Sequence, residues 1–287
     1  MATNSTVVPK APATTRIQRR FEVLTGRGEM GLVAFITAGD PSLEATESFV
    51  LALDAAGADV IELGVPFSDP VADGPAIQRS SERALSAGTT LSGVLDLVAS
   101  IRRKSEVPLV LFSYYNPVLQ MGLDRFARRA ADAGADGVLI TDLTPEEAGD
   151  YRGIVHAHGL DTIFLAAPTS TDERLPRIAE VSSGFLYVIS RTGVTGAREY
   201  LPEDLPALVR RVRRASGLPI AVGFGISLPG QVSVLGGLAD AAVVGSALVQ
   251  EIEQASSVDG AREALGARVR LLKQAGKAGM SRREPGA

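Results

Sequence analysis

Three segments of the sequence repeat one pattern: "DAAGADVIELG" (54–64), "DAGADGVLITD" (132–142) and "GGLADAAVVGS" (236–246). In each segment, small residues and glycine end a helical pattern, and a short run of Val, Ile or Leu follows. Glycine adopts the left-handed conformation that terminates a helix at little cost. A continuous apolar run is typical of a parallel strand that is buried on both faces. The repeat therefore predicts alternating helices and buried parallel strands.

Five more apolar runs fit the same pattern, at 31–39, 107–116, 161–168, 184–193 and 218–227. Helix-compatible segments separate most of them, and the segment 91–103 places five apolar residues on one helical face: Leu91, Val94, Leu95, Val98 and Ile101. Eight strand–helix units in about 250 residues predict a single-domain α/β fold, the closed (β/α)8 or TIM barrel. An open doubly wound sheet is the alternative, because eight strands can also lie flat. We expect the barrel to span residues 16–275, with a disordered extension at 1–15 and a disordered tail at 276–287.

Composition and charge exclude several functional classes. The 287 residues include no cysteine and carry a formal net charge of −4, which excludes disulfides and thiolate metal sites and argues against a nucleic-acid partner. No apolar run approaches the roughly 18–20 residues that a membrane span requires. The N-terminal 20 residues lack the apolar centre of a secretory signal, although their Ser/Thr/Pro-rich, acid-free composition leaves a transit peptide as an alternative. We therefore expect a cytoplasmic protein that binds neither nucleic acid nor a membrane.

Lysine and histidine are poorly placed for catalysis in such a barrel. Reactive groups lie at the C-terminal ends of barrel strands, where the loops are free to vary. The only histidines, His156 and His158, precede the fifth strand at the opposite end, and none of the four lysines follows a strand. These positions exclude a Schiff-base mechanism and a zinc site. We expect no metal, although a magnesium site made of carboxylates alone remains an alternative.

Glu62 is the unusual residue of the second apolar run, "VIELG", and it stands where the pattern favours an apolar side chain. Burial raises the pKa of a carboxyl group toward neutrality, where it can both donate and accept protons. The alternative is a glutamate that forms a salt bridge or is solvated at the barrel mouth. Asp73 follows in a loop that Pro66, Pro70 and Pro75 restrict, which favours a fixed pair of carboxyl groups.

The loops after the last two strands, "GFGIS" (223–227) and "VGSAL" (244–248), contain the glycines of a candidate phosphate site. Glycine lets backbone N–H groups approach an anion, and Ser246 is placed to begin a helix. Loops after strands 7 and 8 commonly hold phosphate in this fold. The alternative is that these glycines only make tight turns.

The motifs "FITAGDP", "ELGVPFSDPVADGPAIQ", "SRTGVTGA" and "GFGIS" occur in this order and with barrel spacing. In these motifs the sequence closely resembles the tryptophan synthase α-subunit family, from about residue 21 to about residue 273. The resemblance implies a (β/α)8 barrel that cleaves indole-3-glycerol phosphate to indole and glyceraldehyde 3-phosphate. It also implies an α2β2 assembly with a β subunit that uses pyridoxal phosphate to condense the indole with serine, and no cofactor in this chain.

The family's residue roles are carried over by position. Glu62 matches the catalytic acid–base glutamate, and Asp73 matches the aspartate that binds the indole N–H. Phosphate contacts are expected from Gly196, Gly225, Gly245 and Ser246. Indole-pocket positions are Phe35, Ile77, Leu139 and Tyr187. The loop with Arg191, Gly193 and Thr195 matches a mobile lid. One departure is Thr144 after "DL", where the family pattern has proline, in a loop that faces the β subunit.

Two other functions remain open from the residues alone. One is a different phosphosugar-binding barrel, such as an isomerase of histidine or tryptophan biosynthesis. The other is a non-catalytic subunit that only activates its partner. Retention of both Glu62 and Asp73 argues against the second.

Overall fold

The strands of the protein form one parallel sheet. The computed structural model describes residues 14–190, 201–223 and 225–280, and within them it contains nine strands. In chain order these are β1 (Gly31–Thr37), β2 (Val60–Gly64), β3 (Leu109–Ser113), β4 (Gly137–Ile140), β5 (Asp161–Ile163), β6 (Leu165–Ala166), β7 (Leu186–Ile189), β8 (Ile220–Gly223) and β9 (Ala241–Val244).

Helices connect and surround these strands. Over the same described residues they are α1 (Arg16–Arg27), α2 (Leu43–Ala55), α3 (Pro75–Ser86), α4 (Leu91–Arg102), α5 (Tyr115–Met121), α6 (Leu123–Ala133), α7 (Gly149–Ala157), α8 (Arg174–Val181), α9 (Leu205–Ala215), α10 (Pro229–Leu235), α11 (Ser246–Gln254) and α12 (Val258–Met280). The amphipathic segment at 91–103 forms α4 as predicted, with Val94, Leu95, Val98 and Ile101 buried.

The sheet closes into a barrel, which excludes the open-sheet alternative. The hydrogen-bonded order runs β5-β4-β3-β2-β1-β9-β8-β7-β6, so the two terminal strands are neighbours in the chain. Phe164 alone separates β5 from β6, and its carbonyl accepts a hydrogen bond from the Tyr187 N–H at 3.2 Å. The nine segments are therefore eight barrel strands, of which the fifth is interrupted at one residue.

Alternate residues of the strands pack into two separate apolar clusters. Val33 and Phe35 of β1 belong to the cluster inside the barrel, whereas Leu32, Ala34 and Ile36 belong to the cluster between strands and helices. A strand alternates its side chains between two faces, so neighbouring residues of one strand join different clusters. On β2 this alternation places Val60 inside and Ile61 and Leu63 outside, which directs Glu62 into the barrel.

Helix α1 closes the N-terminal end of the barrel. Thr15 caps it and, with Gln18, forms a capping box that satisfies two backbone N–H groups. Ile17, Phe21 and Leu24 belong to the interior cluster, and the Phe21 ring lies 5.7 Å from that of Phe185. These apolar side chains fill the interior of the barrel at this end.

The three repeated sequence segments share a structural function at this closed end. Each contains an aspartate directly before its strand, and the aspartate exchanges two hydrogen bonds with one residue of the neighbouring strand. Its backbone N–H donates to that residue's carbonyl, and its carboxylate accepts that residue's N–H. The pairs are Asp59 with Leu32, Asp136 with Leu109, and Asp240 with Ile220. Basic side chains pair with the same carboxylates, so the repeat fixes strand register with charged residues.

The ends of the chain lie partly outside the described residues. The description begins at Thr14, and helix α12 continues to Met280, so residues 276–280 of the expected tail are helical. Residues 1–13 and 281–287 lie outside the described residues. Where the structure describes the chain, no single helix is long and apolar enough to cross a membrane. By length and composition alone, α3 and α4 together would be long and apolar enough, but the chain bends by 95° between them.

Candidate active site

A cavity opens at the C-terminal ends of the strands, opposite α1. It lies between β1, β2 and β3 on one side and β7, β8 and β9 on the other. Its described lining includes Phe35, Glu62, Ala72, Asp73, Ile77, Arg79, Phe112, Tyr187, Gly225, Ser227, Gly245, Ser246 and Gln250. Most of the residues that the sequence predicted for the site therefore line one cavity.

Glu62 lies at the bottom of this cavity, with only 1% of its surface exposed. Its register partners are Phe35 on β1 and Val110 on β3, so both neighbouring strands present apolar side chains to it. This burial raises the pKa of Glu62 to about 8 from the usual 4.5. The Oε1 atom is buried and finds no hydrogen-bond partner among the described residues. The side chain is thus neither solvated nor in an ion pair with a described residue, and Oε1 is available to a ligand.

Asp73 reaches the same cavity from the loop between β2 and α3. Its N–H donates to the Pro70 carbonyl at 3.0 Å, and its own carbonyl accepts the Gln78 side-chain amide at 2.8 Å. Burial raises the pKa of Asp73 to about 6, against a hydrogen bond from Tyr114 that lowers it. The neighbouring Asp69 is exposed and accepts from Ser68, as a turn residue does. The loop therefore fixes one of its two carboxylates in the cavity.

Aromatic and aliphatic side chains form the walls beside Glu62. Phe35 packs edge-on against Phe112 at 5.1 Å, and Ile77 approaches from α3. Tyr187 enters from β7, which lies across the barrel from β2. The Tyr187 and Phe35 rings fit because each packs against a glycine, which has no side chain. A Cβ atom at Gly223 would lie 2.2 Å from the Tyr187 hydroxyl, and one at Gly64 would lie 2.6 Å from the Phe35 ring.

Leu139 has a different position from the other predicted indole-pocket residues. It is fully buried in the interior cluster, and it is absent from the described cavity lining. Its register partner on β3 is Phe112, which does line the cavity. Its assignment to the indole pocket stays a prediction.

The candidate phosphate site lies on the β8–β9 side of the cavity. Gly225 adopts a φ of 84°, which glycine tolerates and most residues do not. Gly245 precedes α11, and Ser246 is its first residue, so the N–H groups of that helix terminus face the cavity. Ser227 also lines the cavity, and its buried Oγ has no described partner. Backbone and hydroxyl donors of this kind suit an anion. Four predicted residues, Arg191, Gly193, Thr195 and Gly196, lie outside the described residues.

Two residues of the cavity region were not assigned a role from the sequence. Tyr114, at the end of β3, hydrogen-bonds the Asp73 loop. It falls in the apolar run 107–116, but nothing in the sequence indicates its partner. Arg79 is the one basic side chain in the described lining, and a fork of two hydrogen bonds at 2.7 Å holds it to Glu253 on α11. It lies one helical turn beyond Pro75, and helical periodicity alone does not show that this position faces the cavity.

Both histidines lie away from the cavity, as the sequence predicted. His156 contacts the Thr162 hydroxyl at 3.0 Å, and burial lowers its pKa. His158 caps the C-terminus of α7 and lies 3.2 Å from Asp124. Across the described part of the chain, no three His, Asp or Glu side chains cluster as metal ligands do.

The fold and the cavity define a (β/α)8-barrel protein with two buried carboxyl groups and an anion-suited rim at its open end. A family model described as tryptophan synthase alpha chain matches residues 21–277. The tryptophan synthase alpha chain of Solibacter usitatus is 56% identical over 240 residues, which cover 84% of this chain and 90% of that one. This chain belongs to the tryptophan synthase alpha chain family.

Solved structures agree with this assignment. The crystal structure of tryptophan synthase subunit alpha from Legionella pneumophila matches with a TM-score of 0.86 and 40% identity, over 92% of this chain and 99% of that chain. The X-ray structure of the tryptophan synthase complex from Pyrococcus furiosus matches with a TM-score of 0.78 and 41% identity, over 85% of this chain and 97% of that chain. The barrel predicted from the sequence is thereby confirmed.

Proposed function

We propose that this chain cleaves indole-3-glycerol phosphate to indole and glyceraldehyde 3-phosphate, with Glu62 and Asp73 as its catalytic residues. The observation that carries the proposal is the buried Glu62 carboxyl, which shares one cavity with Asp73 and a cluster of anion-suited donors. Membership in the tryptophan synthase alpha chain family supports the lyase over an isomerase or a purely activating subunit.

Glu62 supplies the proton transfers. The reaction is a retro-aldol cleavage, in which indole C3 gains a proton, the hydroxyl on the adjacent side-chain carbon loses one, and the bond between the two carbons breaks. The electrons of that bond return to the ring, while the hydroxyl oxygen becomes the aldehyde of the product. A carboxyl group with a pKa of about 8 is present in both protonation states near neutrality, so it can serve both transfers.

Asp73 stabilises the charge that develops on the ring. Protonation at C3 leaves a positive charge on the ring nitrogen until the carbon–carbon bond breaks. An ionised carboxylate that accepts the N–H opposes this charge without becoming protonated itself. With a pKa of about 6, Asp73 is mostly ionised at neutral pH, whereas Glu62 is mostly protonated. The two environments thus give two similar side chains different roles.

The β8–β9 side of the cavity holds the phosphate. Gly225, Gly245 and Ser246 offer backbone N–H groups, together with the positive end of the α11 dipole. Arg79 adds a positively charged side chain to the lining of the cavity, which favours binding of an anion. Gly196 is predicted to complete this site. Phosphate binding fixes the three-carbon unit relative to Glu62, so binding energy is used for orientation.

Phe35, Ile77 and Tyr187 hold the indole ring, with Leu139 predicted beside them. Their apolar surface keeps water from the reacting carbon and maintains the raised pKa of Glu62. A lid that contains Arg191, Gly193 and Thr195 is proposed to cover the bound substrate.

The partner of this chain is a tryptophan synthase β subunit. Family membership and the Pyrococcus furiosus complex support this partner. We propose an α2β2 assembly, in which pyridoxal phosphate belongs to the β subunit and this chain carries no cofactor. Indole released from the cavity passes to that subunit. A cytoplasmic location follows from the same role.

The test is an assay for indole from indole-3-glycerol phosphate, with and without added β subunit. The wild-type chain releases indole, and the β subunit increases the rate. Glu62→Gln keeps the shape of the side chain, still binds the β subunit, and releases no measurable indole. Near-normal turnover in this variant would show that the mechanism is wrong, and no indole from the wild-type chain would show that the function is wrong.

A further inference from the structure

Tyr114 lies where the end of β3 meets the loop that carries Asp73. It directly follows Ser113, the last residue of β3, and precedes α5, and only 3% of its surface is exposed. Its ring packs against Phe67 of the loop, with centroids 5.1 Å apart and planes inclined by 32°. The ring is therefore held by packing that does not depend on its hydroxyl group.

The Tyr114 hydroxyl contacts the loop directly before Asp73. It accepts the backbone N–H of Ala72 at 2.9 Å, and its side chain lowers the pKa of the adjacent Asp73 carboxyl group. Elsewhere in the loop, Pro70 and Gln78 hold only the backbone of Asp73. Tyr114 thus holds the loop at the residue directly before Asp73, on the side that carries the carboxyl group into the cavity.

We propose that Tyr114 is a positioning residue that aims the Asp73 carboxylate at the substrate and keeps it ionised. The proposal rests on the function assigned to Asp73 above. A hydrogen bond to a carboxylate favours its ionised form, because the proton competes with the donor for the same oxygen. This contact opposes the burial that raises the pKa of Asp73.

Other ionisable groups share the cavity with Asp73. They are Glu62 from β2, Tyr187 from β7 and Arg79 from α3. Burial is the largest cause of the raised pKa of Asp73, and the hydrogen bond from Tyr114 is the one that opposes it. Loss of the Tyr114 hydroxyl therefore moves this pKa upward.

The variant that tests the proposal is Tyr114→Phe, which removes the hydroxyl and keeps the ring on Phe67. We expect kcat at pH 7.5 to fall about tenfold, the effect of losing one charge-assisted hydrogen bond, with KM changed by less than about threefold. The acidic limb of kcat/KM moves to higher pH by roughly one unit. A purely structural role would lower stability and leave this limb in place.

Tyr115→Phe is the matched control, because it removes the same atom from the adjacent residue. The Tyr115 ring packs on Tyr151 at 6.2 Å, and it is not in the described cavity lining. We expect the wild-type pH profile from this control. Urea unfolding of both variants shows whether they fold equally well. An acidic limb of Tyr114→Phe that coincides with the wild-type one overturns the proposal.

A second measurement separates this inference from the proposed function. Carboxyl carbon NMR follows the titration of Asp73 directly, with Asp73→Asn identifying its signal. We expect the titration of Asp73 to move to higher pH in Tyr114→Phe and not in Tyr115→Phe, whether or not the chain releases indole. An unchanged titration overturns the role of Tyr114 even when the enzyme is active.

Discussion

Phe35 pairs in register with Glu62 across β1 and β2, so a phenyl ring borders the carboxyl group inside the barrel. Phe112 packs edge-on against Phe35 and extends this apolar wall. Removal of water from an ionised carboxylate is costly, which is why the pKa of Glu62 rises to about 8. The apolar surroundings thus keep the pKa of Glu62 near neutrality, and they lower the stability of the folded protein when Glu62 is ionised.

That cost gives a pH-dependent stability difference for Glu62→Gln. The folded protein keeps the Glu62 proton up to about pH 8, whereas the unfolded chain loses it near pH 4.5. The free energy of unfolding of the wild type therefore decreases as the pH rises between these values, and the total decrease is at most roughly 5 kcal/mol. The variant has no such group, so it matches the wild type near pH 4.5 and is more stable at pH 9. Urea unfolding at several pH values measures the difference; a difference independent of pH contradicts the burial argument.

Asp73→Asn separates transition-state stabilisation from binding. The amide keeps the size of the side chain but lacks the charge that opposes the positive indole ring. We expect kcat to fall on the order of 10²-fold or more, because this charge acts mainly on the transition state. The acidic limb of kcat/KM, set by a pKa of about 6, also disappears. Steady-state kinetics from pH 5 to pH 9 test both, and a change confined to KM would assign Asp73 to binding alone.

The barrel could be predicted because its signal is local and repeated. Most strands are short apolar runs that follow a glycine near the end of a helix, and eight apolar runs leave few architectures. Glu62 was noticeable because a charge interrupted one of those runs. The interruption at Phe164 could not be predicted, because the residues from Ile163 to Ala167 are all apolar and include no glycine.

The remaining parts of the site depend on contacts between distant residues. Tyr114 meets Ala72 across 42 positions of sequence, through a loop whose path no periodicity specifies. Similarly, the need for glycine at position 223 arises from Tyr187, which lies on the neighbouring strand. Sequence patterns report which residues share an element face, whereas these pairs depend on how separate elements meet.

Arg79→Gln tests whether this side chain attracts the phosphate. The described lining holds two carboxyl groups and only this basic group, and the substrate is an anion. We expect KM to rise roughly three- to tenfold with little change in kcat, and the difference to shrink at high salt as screening increases. Arg262→Gln is the control, because that side chain is 48% exposed against 50% for Arg79, and its ion pair among the described residues is with Asp259 on the outer helix α12. Equal KM values for Arg79→Gln and the wild type at low salt contradict the attraction.

Gly223→Ala tests the space that Tyr187 occupies. The added Cβ atom would lie 2.2 Å from the Tyr187 hydroxyl oxygen and 2.6 Å from its Cζ atom, so the ring must move. We expect the free energy of unfolding to fall by about 1–3 kcal/mol, as in overpacked cores, and kcat/KM to fall because the ring lines the cavity. Gly237→Ala is the control, since nothing lies within 4 Å of a Cβ atom there. Tyr187→Leu removes the overlapping atoms, so adding Gly223→Ala to it costs less stability than adding it to the wild type. Equal losses in the two backgrounds, measured by urea unfolding, would show that the contact with Tyr187 is not what excludes a side chain at this position.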